Sequence, residues 1–347
     1  MAVIKFRNNR IIGDGQRPYI IAEMNSSHYG KIEQACRMMD AAKECGCDCV
    51  KFQSWTENTL YSEEYYANNP ISRRMVKSFS MNESQLYELW EYSRKIGIDF
   101  SSTPYSTEEV DFLADKIEVP FIKIASMEVN NPFFLEYIAK KRIPLVLSTG
   151  MASYEEIDQA VNIINNVGNM NLCILHCVSV YPVKPGSVNM NNLIYLKEKY
   201  PDFVVGYSDH TIGEEVACGA VALGARVIEK HFTLDSSQMG MDNNMAMEPE
   251  EMKALVRKCH NVYEAMGNME RVVSEKEKAQ LIKMRRSIVA KENLKAGTIL
   301  EDEILDYKRP GNGLPPVDRN RLVGRKLIRD IKKGFFIMTE DLEKEEE

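Results

Sequence analysis

Two histidines occupy matching places in consecutive segments of the chain, and together they could hold a divalent metal. His210 lies near the end of the segment 205–211, and His231 lies near the end of the segment 227–233. Both segments are short, apolar and rich in β-branched residues, which is typical of buried parallel strands. The stretch 212–225 between them predicts a helix, so a βαβ unit brings both histidines to the same strand end. Two imidazoles with nearby carboxylates are suitable metal ligands; alternatively, one histidine is a ligand and the other is a core residue.

The rest of the chain alternates between strand and helix patterns in the same way. Six further apolar runs predict strands at 18–23, 48–53, 98–103, 121–126, 144–148 and 172–177. Helical patterns lie between most of them, at 31–44, 83–96, 107–116, 154–166 and 190–199. Eight alternating units in about 265 residues predict the α/β class and a (β/α)8 TIM barrel rather than an open doubly wound sheet. The segment 55–82, rich in Tyr, Asn and Ser, is predicted to be a long loop that could act as a lid.

In a barrel of this kind, the polar residues that end the strands converge on one face. Here the set contains two lysines, two histidines, three carboxylates, several hydroxyls and an amide: Glu23, Lys51, Gln53, Thr103, Lys123, Ser126, Glu128, Ser148, Ser179, Tyr181, Ser208, His210, Glu229 and His231. Lys51 and Lys123 lie inside apolar runs, where an unpaired ammonium is costly to bury, so they indicate an oxyanion ligand such as phosphate. Glu23 and Glu128 suit proton transfer or the binding of a hydroxyl group.

Composition excludes several broad classes of protein. The 347 residues, 44% of them hydrophobic, suffice for one large α/β domain and one small domain. A net charge of −7 without a dominant basic face argues against a nucleic-acid partner. No apolar run approaches the roughly 20 residues of a membrane span, and the first residues lack a signal-peptide pattern. We therefore predict a cytoplasmic protein with free thiols, in which Cys45, Cys47 and Cys49 are small core residues rather than a zinc site.

Seven stretches of the chain, taken in order, carry a resemblance to one enzyme family: 22–30, 50–53, 123–128, 147–151, 175–182, 208–211 and 229–232. They resemble the sialic acid synthases, also called N-acylneuraminate or nonulosonate synthases. The segment 287–334 is similar to the small antifreeze-like (SAF) domain that these enzymes carry after the barrel. The resemblance implies a catalytic barrel at 1–268, a linker at 269–285 and a β-rich SAF domain at 286–347.

The resemblance implies a transferase that forms a carbon–carbon bond between phosphoenolpyruvate and the open-chain aldehyde of an N-acylhexosamine. The implied acceptor is N-acetylmannosamine or a 2,4-diacetamido-2,4,6-trideoxyhexose, and the product is a nine-carbon 2-keto acid of the sialic acid type. Glu23, His210 and His231 are implied to be catalytic, with both histidines holding Mn²⁺ or Mg²⁺. Phosphoenolpyruvate is implied to contact Lys51, Thr103, Lys123, Ser126, Ser148, Ser179 and Ser208. The acceptor sugar is implied to contact Gln53, Glu128, Tyr181, Asp242 and Arg309.

Arg309 belongs to the predicted SAF domain, far along the chain from the other residues of the site. In the family that this chain resembles, the SAF domain covers the barrel mouth of a partner subunit. The resemblance thus implies a domain-swapped homodimer in which Arg309 contacts the acyl group of a sugar bound to the partner. Alternatively, Arg309 only caps a turn before Pro310.

Two places in the sequence depart from the pattern of that family. Ser27 stands where an asparagine is usual, and 239–243 reads Met-Gly-Met-Asp-Asn instead of Pro-Gly-Pro-Asp-His. Because Met245 and Met247 follow, this loop is predicted to be less rigid and more apolar, which favours deoxygenated or doubly acylated sugars unless it packs on the small domain. Three alternatives stay open: a legionaminic or pseudaminic acid synthase in particular, a catalytically silent barrel that binds sugar phosphates, and a structural protein.

Overall fold

The structure, a computed structural model, describes residues 2–344 and alternates between strands and helices, as the sequence predicts. The strands are β1 Val3–Lys5, β2 Ile11–Gly13, β3 Tyr19–Glu23, β4 Cys49–Gln53, β5 Asp99–Thr103, β6 Ile122–Ile124, β7 Leu145–Ser148, β8 Leu172–Cys177, β9 Val204–Asp209, β10 Val227–His231, β11 Ser287–Ala290 and β12 Leu305–Lys308. The α-helices are α1 Ile32–Glu44, α2 Glu63–Asn68, α3 Pro70–Phe79, α4 Glu83–Ile96, α5 Thr107–Asp111, α6 Pro132–Lys140, α7 Tyr154–Asn166, α8 Asn191–Lys199, α9 Glu215–Ala222, α10 Pro249–Met266, α11 Glu275–Met284 and α12 Arg319–Leu322. The last residues of the predicted SAF domain, 345–347, lie outside the described residues.

Strands β3 to β10 form one parallel sheet in the order β5-β4-β3-β10-β9-β8-β7-β6. The two ends of this order, β5 and β6, also lie side by side. Across that seam the Ser101 hydroxyl of β5 donates a hydrogen bond of 2.7 Å to the carbonyl of Phe121, just before β6. The sheet is therefore a nearly closed barrel with helices between its strands, and the predicted (β/α)8 fold is confirmed.

The register of the sheet places chemically active side chains next to one another. Glu23 of β3 lies opposite His231 of β10 on one side and opposite Lys51 of β4 on the other. In the same way, Ser208 of β9 lies opposite Glu229 of β10. Paired residues of parallel strands point to the same face of the sheet. Residues far apart in the chain are thereby collected at one end of the barrel.

An N-terminal hairpin, which the sequence analysis did not predict, covers the start of the barrel. Strands β1 and β2 pair antiparallel and bury Ile4, Phe6 and Ile12. These side chains pack with residues at the starts of the barrel strands, including Tyr19 and Phe121. Because apolar side chains fill this end of the interior, a ligand cavity inside the barrel can open only at the other end.

The predicted lid segment contains two helices rather than an irregular loop alone. Helix α2 begins after Ser62, whose hydroxyl accepts a hydrogen bond from a backbone N–H of the first turn. Helix α3 begins at Pro70, a residue that suits the first helical position because its missing N–H is not needed there. Trp55, Tyr66 and Val76 form a small apolar cluster within this segment. The segment is therefore folded and has a small core of its own.

Most predicted helices agree with the structure. Helices α4 and α7 have the predicted bounds, and each begins with a capping box. The predicted helix 107–116 is α5 followed by a π-helical turn, Phe112–Lys116, and α9 begins at Glu215, three residues after the predicted start. None of the described helices is long and apolar enough to cross a membrane.

The chain divides into two compact units, Met1–Gly267 and Asn268–Glu347. The second unit begins with a segment predicted to be a linker, and this segment contains helix α11. Strands β11 and β12 then pair antiparallel, and isolated bridges such as Val289 with Phe336 add further short pairings. Ile288 and Leu327 belong to a core formed within this unit. The unit is the β-rich, turn-rich module that the sequence predicts.

Candidate active site

The carboxyl ends of the barrel strands enclose a cavity of about 240 Å³, and most residues predicted to be functional line it. From the predicted set these are Glu23, Lys51, Gln53, Thr103, Lys123, Ser126, Ser148, Ser179, Tyr181, Ser208, His210, Glu229, His231 and Asp242. Glu128 is not among the lining residues, and its carboxylate accepts a hydrogen bond of 2.8 Å from Asn131 instead. Arg309 belongs to the second unit, where its side chain is exposed.

Two lysines and two glutamates form a buried charge network in the wall of the cavity. Lys51 forms an ion pair with Glu23, and its Nζ lies 3.7 Å from Oε2 of Glu229. The Nζ of Lys123 lies 3.8 Å from Oε1 of Glu229. Burial lowers the pKa of Lys123. Burial also disfavours the charged form of Lys51, but Glu229 and Glu23 raise the pKa of Lys51 above its ordinary value. The carboxylates therefore hold both ammonium groups at the cavity wall, where an anion can reach them.

The two glutamates of this network have pKa values that shift in opposite directions. Burial raises the pKa of Glu23; Lys51 offsets part of this effect and the charge of Glu229 adds to it, so the pKa lies above its ordinary value. Burial also opposes ionisation of Glu229, but Lys123 and Lys51 lower its pKa below the ordinary value. Oε1 of Glu23 accepts hydrogen bonds from the Gln53 amide at 3.1 Å and from a backbone N–H. A cavity whose carboxyl groups differ in this way is suited to proton transfer by the one with the raised pKa.

His210 and His231 lie side by side, with 5.3 Å between their ring centres. Nδ1 of His210 lies 2.9 Å from the carbonyl of Val178; since a carbonyl only accepts, Nδ1 donates its proton there, and Nε2 is the atom that can bind a ligand when the ring is neutral. Nδ1 of His231 is buried and has no hydrogen-bond partner among the described residues. Burial, together with the charges of His210 and nearby lysines, lowers the pKa of His231 well below 6.5. The ring of His231 is therefore neutral.

These properties of the two histidines fit a divalent metal. A buried ring nitrogen without a partner is unfavourable unless a ligand completes its interactions. Neutral imidazole is also the form that binds metals. Among residues 2–344, no group of three or more His, Cys, Asp or Glu side chains is arranged to hold a metal ion. Two imidazoles would leave the other coordination positions to water or substrate, as in an open site rather than in a closed structural one.

Hydroxyl groups form another part of the cavity wall, around Gly150. The backbone N–H of Gly150 donates to Oγ of Ser126 at 3.0 Å, and a Cβ at this position would clash with the hydroxyl oxygens of both Ser126 and Ser179. Only glycine therefore lets the backbone approach these serines. Oγ of Ser148 is buried without a hydrogen-bond partner among the described residues, so it is free to bind a ligand oxygen.

Tyr105 and Cys177 are among the residues of this cavity that were not predicted from the sequence. The hydroxyl of Tyr105 lies 3.4 Å from Oε1 of Gln53. The thiol of Cys177 lies 3.7 Å from Oγ of Ser126 and 3.9 Å from Nδ1 of His210. Cys177 ends β8 and Tyr105 follows β5 by two residues. Their position at strand ends is the signal that could have identified them.

Asp242 is held at the cavity by the loop that follows β3. The side-chain amide of Asn25 donates to Asp242 at 2.8 Å, and the hydroxyl of Ser27 donates to Oδ1 of Asn243 at 2.8 Å. Ser27 and Asn243 are both buried. Ser27 and Asn243, which both depart from the family pattern, therefore contact each other. They form a pair beside Asp242.

The methionines around Asp242 do not form a wall of the cavity. Met245 and Met247 are buried, and Met239 is 86% exposed. The cavity is lined by two other methionines, Met127 and Met151, which the sequence analysis did not single out. Met127 and Met151, and not the methionines of the 239–247 loop, therefore form the thioether part of the cavity wall.

Glu109 connects Tyr105 to the segment that precedes α2 through hydrogen bonds, and its pKa is raised by burial. Its carboxylate accepts hydrogen bonds from the backbone N–H of Tyr105 at 2.6 Å and from the hydroxyl of Thr59 at 2.8 Å. Burial raises the pKa of Glu109 from 4.5 to about 7. A carboxyl whose pKa is higher in the folded state binds its proton more tightly there, so its contribution to stability is present at low pH and is lost as pH rises from 4.5 to 7.

We expect the substitution Glu109→Gln to remove this pH dependence. Between pH 5 and pH 8 the wild-type chain should lose roughly 2–3 kcal/mol of unfolding free energy that the variant keeps. Denaturant unfolding at the two pH values measures the difference. Glu108→Gln, an exposed change in the same helical turn, should retain the loss. Equal pH dependence in the wild type and in Glu109→Gln would contradict the assignment.

Fold and cavity together define a class of protein: a (β/α)8 barrel with a buried, mixed-charge site at the carboxyl ends of its strands, followed by a β-rich module. The chain belongs to the NeuB family, whose model matches residues 38–271, and the SAF domain model matches residues 285–343. The family resemblance inferred from the sequence is confirmed.

Several relatives match nearly the whole chain. The chain is 36% identical over 344 residues to the N,N'-diacetyllegionaminic acid synthase of Legionella pneumophila. The aligned region covers 95% of this chain and 96% of that protein. It is 35% identical over 336 residues to the N-acetylneuraminate-9-phosphate synthase of Homo sapiens, with coverage of 94% and 93%. The crystal structure of the N-acetylneuraminic acid (sialic acid) synthetase from Leptospira borgpetersenii matches with a TM-score of 0.73 and 32% identity, over 81% of this chain and 96% of that one.

Proposed function

We propose that this chain condenses phosphoenolpyruvate with the open-chain aldehyde of an N-acylhexosamine. C3 of phosphoenolpyruvate bonds to the aldehyde carbon, water adds at C2, and phosphate leaves, which gives a nine-carbon 2-keto acid. One observation carries the proposal: paired lysines, two glutamates with opposite pKa shifts and adjacent histidines meet in one cavity of a NeuB-family chain. These groups supply anion binding, proton transfer and metal ligation together.

Lysines and hydroxyls of the cavity bind the carboxylate and phosphate of phosphoenolpyruvate. Lys51 and Lys123 provide charge-assisted hydrogen bonds, and their glutamate partners keep them oriented when no anion is present. The hydroxyls that surround them belong to Thr103, Ser126, Ser148, Ser179 and Ser208. Glu23 transfers a proton or positions water, and the upward shift of its pKa favours such a role.

The acceptor sugar contacts Gln53, Tyr181 and Asp242, which line the same cavity. A divalent metal, Mn²⁺ or Mg²⁺, held by His210 and His231 would act as a Lewis acid towards the aldehyde oxygen. The catalytically silent alternative predicts binding without turnover. Phosphate release from phosphoenolpyruvate, measured against a panel of hexosamines with and without Mn²⁺, separates the two. Absence of release with every hexosamine would overturn the proposal.

Removal of a lysine should weaken phosphoenolpyruvate binding selectively. We expect Lys123→Met or Lys51→Met to raise the KM for phosphoenolpyruvate roughly 10- to 100-fold, since a charge-assisted hydrogen bond contributes about 1.5–3 kcal/mol. The KM for the sugar should change much less. Steady-state kinetics with each substrate varied in turn gives both constants, and Lys140→Met, an exposed helical lysine, is the matched control. An equal rise in both constants would indicate a general structural role instead.

The lining methionines favour an acceptor with deoxy or acylamino groups, as in legionaminic or pseudaminic acid synthesis. Thioethers accept hydrogen bonds weakly, so Met127 and Met151 suit a methyl group better than a hydroxyl. We expect a 2,4-diacetamido-2,4,6-trideoxyhexose to match or exceed N-acetylmannosamine in kcat/KM. The double change Met127→Gln and Met151→Gln should shift the ratio roughly tenfold towards N-acetylmannosamine. Met239→Gln, a change at an exposed methionine, is the control and should leave the ratio unchanged. A wild-type chain that strongly prefers N-acetylmannosamine would refute the proposed preference for the trideoxyhexose.

The second unit of a partner subunit completes the site in this proposal. Large apolar side chains stand exposed after the carboxyl ends of the strands, including Phe133 at 85% and Ile212 at 68%. The second unit exposes apolar residues as well, such as Val317 at 83%. Exposed apolar surface near a mouth is typical of an interface. Arg309 has no carboxylate partner among the described residues; its guanidinium contacts only the Met284 sulfur at 3.7 Å, which leaves it available to a sugar bound by the partner.

A further inference from the structure

A second cleft, larger than the candidate active site, lies at the opposite end of the barrel. Its volume is about 670 Å³, compared with about 240 Å³ for the cavity at the carboxyl ends of the strands. Its walls are the segment before β3, the turns that precede β4 and β5, and one face of α10. None of the residues assigned to the proposed reaction lines it. The cleft is therefore separate from the chemistry described above.

The walls of this cleft carry an excess of positive charge. Five cationic side chains line it, together with the imidazole of His260: Arg10, Arg17, Lys43, Lys253 and Arg257. The two carboxylates in the walls are already satisfied within the chain. Asp48 lies 3.2 Å from Arg10 and 3.3 Å from Arg17. Asp99 lies 3.3 Å from Arg10 and accepts a hydrogen bond of 2.7 Å from the hydroxyl of Tyr19.

Helix α10 presents three of the basic residues, Lys253, Arg257 and His260, along one face. Residues four and seven positions apart lie above one another on a helix, and the like charges of Lys253 and Arg257 repel when so placed. Neither Lys253 nor Arg257 forms an ion pair within the described part of the chain. Nε2 of His260 is buried there without a hydrogen-bond partner. A bound oxyanion would remove the repulsion and provide the missing partner.

We propose that this cleft binds a small phosphate-bearing metabolite. Guanidinium, ammonium and imidazole groups converging from separate segments match the several oxygens of a phosphate ester or diphosphate. The volume lies within the usual range of about 300–1,000 Å³ for small-molecule pockets. The chain as a whole carries a net charge of −7, so it has no general attraction for anions, and anion binding would depend on the local charge of this cleft. The positive charge is local and built into the walls.

The test is a calorimetric titration of the full chain with inorganic pyrophosphate. The ionic strength is held constant and no divalent metal is added. We expect two sites per chain, of which saturating phosphoenolpyruvate blocks one and leaves the other. The double change Lys253→Ala and Arg257→Ala should weaken the remaining site roughly tenfold or more. The double change Lys140→Ala and Lys278→Ala removes the same charge from exposed helical positions elsewhere and should leave it unchanged.

Both pairs of substitutions are at exposed side chains, so unfolding curves without pyrophosphate should coincide with that of the wild type. A single site that phosphoenolpyruvate blocks would overturn the proposal. Equal weakening by both double changes would also overturn it, because net charge alone would then explain the binding. Tighter binding of a single-stranded oligonucleotide than of pyrophosphate, lost in the same double change, would assign the cleft to a macromolecule and not to a metabolite. If the proposed condensation were absent, the second site should still respond to Lys253 and Arg257 as described.

Discussion

The substitution His231→Ala is expected to abolish stoichiometric Mn²⁺ binding and to lower kcat/KM for the condensation by roughly 10³-fold. The ring of His231 is buried and neutral, and its Nδ1 has no partner within the described chain, so a metal would satisfy it. His210 offers a second imidazole at 5.3 Å between ring centres. Because these two imidazoles are the protein ligands found among residues 2–344, loss of either one should remove most of the affinity for the ion.

Metal content by elemental analysis and Mn²⁺ binding by electron paramagnetic resonance measure this loss independently of turnover. His260→Ala is the matched control, since this histidine lines the cleft at the far end of the barrel. It should keep wild-type Mn²⁺ content and turnover. Two results would refute the assignment: full Mn²⁺ content in His231→Ala, or full turnover by wild-type chain treated with a chelator.

The barrel could be predicted from the sequence because its strands are short apolar runs separated by helical patterns. Runs such as 48–53 and 227–233 end in polar residues, and the fold brings all such ends together. Each strand could therefore be recognised locally, without knowledge of its neighbours. The hairpin β1–β2 could not, because strands of three residues are too short for alternation to stand out. The helices α2 and α3 were missed for a related reason, since Tyr and Asn within 55–82 favour irregular structure.

The identity of the cavity residues was more predictable than their interactions. Position at a strand end selects Glu23 and Lys51, but their ion pair depends on the register between β3 and β4. The opposite pKa shifts of Glu23 and Glu229 depend on burial and on distances to two lysines, neither of which a single sequence contains. The hydrogen bond between Ser27 and Asn243 joins residues 216 positions apart. Such pairs appear only when the chain is folded.

Mixing two inactive variants is expected to restore activity if the site is shared between subunits. An Arg309→Ala chain supplies an intact barrel, and a His231→Ala chain supplies an intact second unit. In a heterodimer of the two, one site has both His231 and Arg309, and the other has neither. Random exchange of a 1:1 mixture makes half of the dimers heterodimers, so about a quarter of the wild-type site activity should return.

Recovery at this level depends on which subunit provides the arginine. If Arg309 served the barrel of its own chain, every site in the mixture would lack one of the two residues, and exchange would restore nothing. The exposed guanidinium of Arg309, whose described contact is the Met284 sulfur, is compatible with a role in the partner's site. Differently tagged chains purified as verified heterodimers remove any doubt about exchange. Such heterodimers should have about half the activity of the wild-type dimer, whereas activity no higher than that of the two variant homodimers would exclude the composite site.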